Sequence, residues 1–342
     1  IEHRTQGGTY RSEDGGDTWT RVNTLNPRPM YYSKPVIDPT NADRIWIPGV
    51  TVYRSDDGGR TFLTLPTGPT YDVGLKGDHH AFWINPKDPR HVFLGGDGGL
   101  HESWDLGLTW VRMNNLPIGQ FYSIAADNRD PYWIYGGMQD NHSWMGPSAT
   151  RHWLGIVNED WRQIGFGDGM YQRPDPFDNR RVYTASQNLG MQRFDIETGD
   201  RLGLKPFPPT EGDTAYRFDW LAPIVVSRHA AGTVYVGGNR LFITRDHGNS
   251  WTRTKDLTRQ VNRDTLRVMG VAGPEITLSR NDGESSYSEL STIAESPLDA
   301  KVLWVGTDDG LVQLSRDGGA TWRDVTAAIP GVPARTLVSR VH

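Results

Sequence analysis

The 342-residue chain contains no cysteine. This absence excludes disulfide bonds, thiolate zinc sites and cysteine nucleophiles together. No apolar run approaches the roughly 18 residues that a membrane-spanning helix needs, so no membrane span is expected. The net charge is −5, which leaves no basic footprint for nucleic acid. The sequence therefore predicts neither a membrane nor a nucleic acid as a partner.

Two common catalytic motifs are also missing. Each Gly-Gly pair falls between strand-like runs rather than before a helix, so a phosphate-binding loop is not indicated. No Gly-x-Ser-x-Gly nucleophile elbow occurs. No signal peptide is visible, and the chain opens at Ile1 in what reads as the middle of a strand. This start suggests a mature or trimmed fragment.

Turn-forming residues are abundant, with 39 Gly and 22 Pro, and one turn pattern recurs. The pattern is Ser-x-Asp-Gly-Gly-x-Thr-aromatic. In it the glycines supply positive φ for a tight turn, and the Asp side chain can cap backbone N–H groups. Full copies span residues 12–19, 55–62 and 315–322, and looser copies span 103–110 and 244–251. Because each copy follows a β-rich run, the pattern predicts five hairpins.

Strand-like units recur every 40 to 50 residues or so, which is roughly the period of a four-stranded propeller blade. They predict an all-β fold: one domain over residues 1–342 that forms a seven-bladed β-propeller with four-stranded antiparallel blades. Six blades are expected to begin near residues 35, 80, 121, 168, 222 and 290. The seventh combines 334–342 with 1–23, so that pairing of the N- and C-terminal segments closes the ring and removes its open edges. The stretch 259–287 reads as an inserted loop.

The recurring turn is the Asp-box of bacterial-neuraminidase-type (BNR) repeats, and the whole chain resembles bacterial sortilin-like or glycosyl-hydrolase-like propellers. The segments that carry this resemblance are 31–33, 77–83, 95–99, 120–122, 136–141 and 158–161. The family is generally secreted, so the resemblance implies a secreted or periplasmic location and a carbohydrate partner. More distantly, the chain is similar to xyloglucan-cleaving endoglucanases, which use two propellers, and to sialidases. The stretch Pro27–Pro29 lacks the isoleucine of the sialidase signature.

Carboxylates and histidines cluster where one blade is expected to lead into the next. Glycoside hydrolysis uses two carboxyl groups, one of them kept protonated by apolar neighbours. Turn capping and solvated loop charge are the alternative roles for the acids, and a structural hydrogen bond is the alternative for histidine. The candidate catalytic residues are Asp78, His80, Glu159, Asp160 and Asp168.

A second group of residues could bind substrate. Their amides and carboxylates suit sugar hydroxyls or a structural Ca²⁺ ion, and their tryptophans could stack on sugar rings. Backbone satisfaction in turns and packing between blades are the alternatives. These candidates are His79, Gln139, Asp140, Asn141, Trp144, Trp161, Gln187 and Asn188. The turns that follow the second strands add Asp97, Asn239, Asp308 and Asp309, with the face they occupy left open.

Two functions follow from these observations. The first is a secreted carbohydrate-active hydrolase that cleaves a poly- or oligosaccharide with carboxylate acid/base groups and without a cofactor. The second is a non-catalytic carbohydrate- or protein-binding scaffold, with a protein or a second propeller as its partner. An enzyme predicts a deep polar pocket that contains two carboxyl groups at catalytic spacing, at least one of them with a raised pKa. A scaffold predicts a filled channel and a binding patch on its rim.

Overall fold

The computed structural model describes residues 6–28, 31–32, 34–65, 77–116, 118–210, 214–276 and 286–342. Pro29, Ser33 and the central part of the expected inserted loop lie outside these ranges. The chain divides into two compact units, residues 1–118 and residues 119–342.

The first unit begins with a two-stranded antiparallel sheet, β1 (Thr9–Arg11) with β2 (Thr20–Asn23). Two four-stranded antiparallel sheets follow, each with its strands side by side in chain order. One sheet contains β3 (Val36–Asp38), β4 (Asn41–Ile47), β5 (Tyr53–Ser55) and β6 (Leu63–Thr64). The other contains β7 (His79–Ile84), β8 (Val92–Gly96), β9 (Gly99–Ser103) and β10 (Val111–Arg112).

The second unit contains four more sheets of the same kind among its described residues. The first has β11 (Phe121–Ala126), β12 (Trp133–Met138), β13 (Ser143–Pro147) and β14 (Arg162–Gly165). The second has β15 (Gln172–Asp175), β16 (Asp178–Ser186), β17 (Gly190–Asp195) and β18 (Arg201–Gly203). The third has β19 (Ile224–Val226), β20 (Val234–Gly237), β21 (Leu241–Thr244) and β22 (Thr252–Arg253). A short hairpin, β23 (Arg267–Val268) with β24 (Val271–Ala272), precedes the fourth sheet, which has β25 (Leu290–Glu295), β26 (Leu303–Thr307), β27 (Val312–Ser315) and β28 (Arg323–Asp324).

The predicted all-β class with four-stranded antiparallel sheets is therefore confirmed. In the described residues there are six such sheets, and with the β1–β2 pair they are consistent with seven blades. Short 3₁₀ turns connect some of the strands. They span Asn158–Asp160, Gln187–Leu189, Arg263–Thr265, Gly273–Glu275 and Thr326–Ala328.

Within each unit, neighbouring sheets bury their apolar side chains against each other. In the first unit, the Trp46 ring of β4 stacks on Phe82 of β7 with 5.2 Å between ring centroids. In the second, Tyr183, Ile224 and Phe242 belong to one buried cluster that joins two sheets. Each such side chain contributes about 1.5–3 kcal/mol when it is fully buried, so these layers are the main cohesive contacts between sheets.

The five copies of the recurring turn have the same hydrogen bonds. In the copy at 55–62, the Ser55 hydroxyl accepts from the Gly59 N–H at 2.8 Å. The Asp57 carboxylate accepts from the Thr61 N–H at 2.9 Å and from its hydroxyl at 2.6 Å. The other four copies repeat all three bonds with their own residues. The Asp side chain thus caps the turn as its position in the pattern predicts.

The C-terminal segment differs from the expectation. Residues 336–341 form no regular strand. Val338 nevertheless makes two hydrogen bonds to the fourth sheet of its unit. Its N–H donates to the Thr307 carbonyl at 3.1 Å, and its carbonyl accepts from the Ser291 hydroxyl at 2.6 Å. Pairing of this segment with the start of the chain, on which ring closure depends, stays a prediction.

Candidate functional site

One edge recurs in four of the sheets. The residue that follows the second strand donates its N–H to the carbonyl of a residue ahead of the first strand, so both segments meet at one edge, which we call the leading edge. The four bonds are Asp97 to Asp78 (3.2 Å), Gln139 to Gln120 (2.9 Å), Asn239 to Arg217 (2.9 Å) and Asp308 to Glu289 (3.0 Å). The turns after the second strands therefore lie at the same edge as the segments that lead into the sheets. Asp97, Asn239 and Asp308, whose face the sequence left open, are at this edge.

A cluster of three carboxyl groups, Asp219, Glu289 and Asp308, lies at the leading edge of the sheet formed by β25 to β28. Glu289 is fully buried, whereas the other two are half-buried. Burial raises the pKa of Glu289 to about 7, and the charges of Asp308 and Asp219 add to this effect. Burial also raises the pKa of Asp308 to about 7 and raises that of Asp219. One or more of these groups therefore keeps a proton near neutral pH.

Hydrogen bonding separates the roles of Glu289 and Asp308. The Asp308 carboxylate accepts from the backbone N–H groups of Ser288 at 3.0 Å and Glu289 at 2.8 Å. The two oxygens of Glu289 are buried without a hydrogen-bond partner in the described residues. The Ser286 hydroxyl comes close enough to favour the charged form of Glu289, although it does not reach hydrogen-bonding geometry. Because N–H donors stabilise a carboxylate, Asp308 is the better anion and Glu289 the better proton holder.

The backbone beside this cluster is held from both sides. The Arg217 guanidinium donates to the carbonyls of Tyr287 at 3.1 Å and Ser288 at 3.0 Å, and it pairs with Asp256 at 3.5 Å. The Ser288 hydroxyl accepts from the Val261 N–H at 2.8 Å. Ser288 has φ of +67°, a strained conformation that persists only where its surroundings enforce it. These contacts hold Glu289 in place.

Sequence reasoning missed Asp219 and Glu289. Glu289 directly follows the stretch interpreted as an inserted loop, and Asp308 was noted only as one of several turn acids. A signal was available, because Glu289 directly precedes the first strand of its sheet just as Asp78 precedes β7. Aligning the sheets on that position would have placed Glu289 beside Asp308.

Three of the predicted residues come together in the second unit, where the turns after β12 and β16 meet the segment ahead of β15. The Asp168 carboxylate accepts from the Asp140 N–H at 2.8 Å, and the Gln187 side chain accepts from the Asp168 N–H at 3.1 Å. Burial raises the pKa of the Tyr122 hydroxyl, and the charges of Asp168 and Asp140 raise it further. Tyr122 is therefore near both acids. This second group is polar and linked by hydrogen bonds, and its role in catalysis or binding stays a prediction.

The neighbouring predicted amides and one tryptophan make local contacts. Asn141 donates from its side chain to the Gln139 carbonyl at 3.0 Å. The indole N–H of Trp144 donates to the Asn141 carbonyl at 2.7 Å. The Asn188 carbonyl accepts from the Lys205 ammonium at 2.8 Å. These bonds stabilise the turns, as the alternative reading of the sequence proposed, and they leave a binding role untested.

Glu159 and Asp160 lie apart from Asp168. They belong to the connection between β13 and β14, at the opposite end of the sheet from the turn that contains Gln139. Asp160 accepts from the Val157 N–H at 2.9 Å, and Glu159 is exposed. The Trp161 ring covers Gly146, where an added Cβ would lie 2.7 Å from the ring. Glu159 and Asp160 therefore do not come together with Asp168, although all three are candidate catalytic residues and are close in the sequence.

In the first unit, the two predicted histidines face opposite ways, as strand alternation requires. His79 is 1% exposed. His80 is exposed, and its Nε2 lies 3.8 Å from Asp97 Oδ1; the Tyr31 ring is 4.8 Å away. Burial lowers the pKa of His79 to about 4, with smaller effects from His101 and His80. Whether Asp78 and His80 contact a substrate stays a prediction.

Among the described residues, no helix has both the length and the apolar character needed to cross a bilayer. No family model matches the chain.

A xyloglucanase from Paenibacillus sp is 20% identical over 365 aligned positions, which include 88% of this chain and 35% of the relative. The chain thus spans about a third of the length of this curated relative. The GH74 xyloglucanase of Xanthomonas campestris is 16% identical, with a TM-score of 0.37 over 91% of this chain and 49% of that one. YCF48 from Cyanidioschyzon merolae is 13% identical, with a TM-score of 0.35 over 86% of this chain and 84% of that one.

Proposed function

We propose that this chain is part of a glycoside-hydrolase-like enzyme that cleaves a poly- or oligosaccharide, built on a seven-bladed Asp-box propeller and exported from the cytoplasm. The observation that carries the proposal is the cluster of Asp219, Glu289 and Asp308, where burial raises the pKa of Glu289 and of Asp308 to about 7 and raises that of Asp219. The distant similarity to a xyloglucanase supports the substrate class.

The proposed chemistry divides between two side chains. Glu289 donates its proton to the glycosidic oxygen as the bond to the sugar carbon breaks, because its oxygens lack the N–H donors that would favour ionisation. Asp308, whose carboxylate accepts from two backbone N–H groups, is the ionised member when the pair carries a single proton, and it acts on the sugar carbon directly or through water. Asp219 raises the pKa of both residues and so keeps the shared proton on the pair.

The other candidates are proposed in binding roles. Asp168, Asp140 and Gln187 occupy the same edge of the second unit and would orient sugar hydroxyls. In the first unit, Asp78 and His80 would serve the same purpose from the equivalent edge, whereas His79 is buried and does not reach a substrate. The proposal also includes a structural Ca²⁺ ion and a second propeller as a partner. Calcium binding and binding of a second propeller domain to this chain are the measurements that test them.

The test is a digestion screen on xyloglucan, other β-glucans and a panel of soluble polysaccharides, with release of reducing ends as the readout. Glu289→Gln and Asp308→Asn are compared with wild type, and Asp168→Asn and Glu159→Gln serve as matched acid-to-amide variants. We expect Glu289→Gln to lose activity at least 100-fold, the usual order of a general acid's contribution, with an unchanged circular dichroism spectrum.

Each result has a defined meaning. Loss of activity in Glu159→Gln but not in Glu289→Gln would move catalysis to the β13–β14 connection and overturn the assignment. Binding of a glycan without any cleavage by wild type would support the non-catalytic scaffold instead.

A further inference from the structure

Trp220 connects the carboxyl cluster with the group formed by Asp168, Asp140 and Gln187. It directly follows Asp219 of the cluster, in the connection between β18 and β19. Its carbonyl accepts from the Asn188 N–H at 3.2 Å, and Asn188 follows Gln187 in the chain. The backbone of Trp220 is therefore linked to both groups.

The residues around Trp220 hold its side chain at the surface. Phe218 and Ala222 are 4% and 2% exposed and belong to a buried apolar cluster. The Asp219 carboxylate accepts from the Leu221 N–H at 2.8 Å, which is the bond of a tight turn centred on Trp220. Trp220 itself is 39% exposed. Because the chain is anchored on both sides of this turn, the indole ring cannot move into the core without breaking the turn.

The N–H edge of the indole ring faces Tyr122. Burial raises the pKa of the Tyr122 hydroxyl, and the Trp220 side chain, whose polar group is the indole N–H, lowers it in part. The charges of Asp168 and Asp140 act on the same hydroxyl. One edge of the indole ring is therefore directed towards these acids, and the exposed part of the ring is left for a ligand.

An exposed indole ring next to carboxylates suits a sugar. The C–H groups on the face of a pyranose ring are apolar, so an aromatic ring can cover that face. The hydroxyl groups at the rim of the same sugar can donate to carboxylate oxygens. Apolar surface with a few placed polar groups is the usual composition of a ligand site.

The charges around this ring favour a neutral sugar. The carboxyl cluster begins at the residue before it, and Asp168 with Asp140 lies beyond its N–H edge. Lys205, which donates to a carbonyl of the same region at 2.8 Å, brings a positive charge, whereas Arg217 is neutralised by its own pair with Asp256. Acidic groups thus outnumber free cations here, and they would repel a glycan that carries carboxylates or sulfate esters.

We propose that Trp220 stacks on a sugar ring of a neutral glycan, and that this glycan extends from Asp168 and Asp140 to the pair of Glu289 and Asp308. The two groups are then parts of one binding site for at least two sugar units, with one unit on Trp220 and the next at the carboxyl cluster. This inference rests on the proposed carbohydrate substrate but not on its cleavage.

The test is isothermal titration calorimetry with the Glu289→Gln protein, in which the proposed proton donor is replaced so that the probes stay intact. The neutral probes are cellohexaose, laminarihexaose and a xyloglucan heptasaccharide, and a hyaluronan hexasaccharide carries carboxylates. The same titrations with wild type check that the substitution does not alter binding. We expect at least one neutral probe to bind and the hyaluronan probe not to bind.

Variants made in the same background assign the binding to Trp220. Trp220→Leu should raise the dissociation constant about tenfold, which corresponds to about 1.4 kcal/mol and is the order expected for loss of an aromatic contact. Trp220→Phe keeps an aromatic ring and should bind with intermediate affinity, which tests the contact even if Trp220→Leu does not fold. Trp153→Leu is the matched control, because Trp153 is 85% exposed in the connection between β13 and β14, and it should leave binding unchanged.

The outcomes separate this inference from the proposed function. Binding that Trp220→Leu weakens, in a protein that cleaves no glycan, would support the inference and overturn hydrolysis. Equal affinity of the Trp220→Leu and Trp153→Leu proteins would overturn the inference, and hydrolysis would still be decided by the digestion screen. A preference for the hyaluronan probe, or failure of every neutral probe to bind, would also overturn the inference.

Discussion

Acid should destabilise the first unit through a pair of buried histidines. His79 and His101 are 1% and 2% exposed, and none of their four ring nitrogens has a hydrogen-bond partner in the described residues. Burial lowers the pKa of His79 from 6.5 to about 4 and lowers that of His101 as well. The charge of each imidazolium would be desolvated and would repel the other, so the folded state keeps both rings neutral.

The sign and size of the effect follow from linkage. Between pH 6.5 and 4 the unfolded chain binds a proton at His79 that the folded chain does not, so stability falls as the pH falls through this window. A shift from 6.5 to about 4 is 2.5 pKa units, and at about 1.4 kcal/mol per unit His79 alone removes roughly 3 kcal/mol by pH 4. Above pH 6.5 the histidine contributes no such penalty.

The assay is urea unfolding followed by tryptophan fluorescence at pH 7.5, 6.0, 5.0 and 4.0. Wild type is compared with His79→Leu, which removes the titrating ring, and with His152→Gln, which changes an exposed histidine. We expect the difference in unfolding free energy between wild type and His79→Leu to move by about 3 kcal/mol in favour of the variant between pH 7.5 and 4. Titration of the carboxyl groups is common to both proteins and cancels. A difference that stays constant with pH would refute the reasoning.

Three further predictions follow from other parts of the molecule. In the proposed reaction Glu289 acts protonated, and burial raises its pKa to about 7, so hydrolysis should decline as the pH rises through 7; a pH–rate profile of kcat/KM that stays flat to pH 9 would contradict this role. Gly137→Ala should destabilise the second unit by about 2 kcal/mol or more, since its Cβ would lie 2.2 Å from the Gly169 carbonyl oxygen; Gly203→Ala, with open space at the same atom, is the matched control in thermal unfolding. Asp105→Ala should cost about 1–2 kcal/mol, because it removes bonds to Leu108, Thr109 and Ser103, and unchanged urea unfolding would show that solvent replaces them.

Local patterns in the sequence were sufficient to predict the sheets and their turns. A turn such as 55–62 depends on residues within eight positions of each other, so the Asp57 cap and the positive φ of its glycines can be inferred from the sequence alone. The alternation in His79 and His80 likewise predicts that one ring is buried and the other exposed, because the strand period is two. The looser copies were also recognised, although Leu106 and His247 adopt φ of +64° and +62° where the pattern has glycine.

The carboxyl cluster was decided by the tertiary structure. Asp219, Glu289 and Asp308 are up to 89 positions apart in the chain (308 − 219), and their grouping depends on how two sheets and the segments ahead of them pack. The raised pKa of Glu289 arises from burial, which no local motif encodes. The same reason explains Glu159 and Asp160: they are close to Asp168 in the sequence, yet β14 carries the chain from one end of the sheet to the other between them. Sequence proximity determines turns, whereas the electrostatics of a site depend on which distant segments exclude water from it.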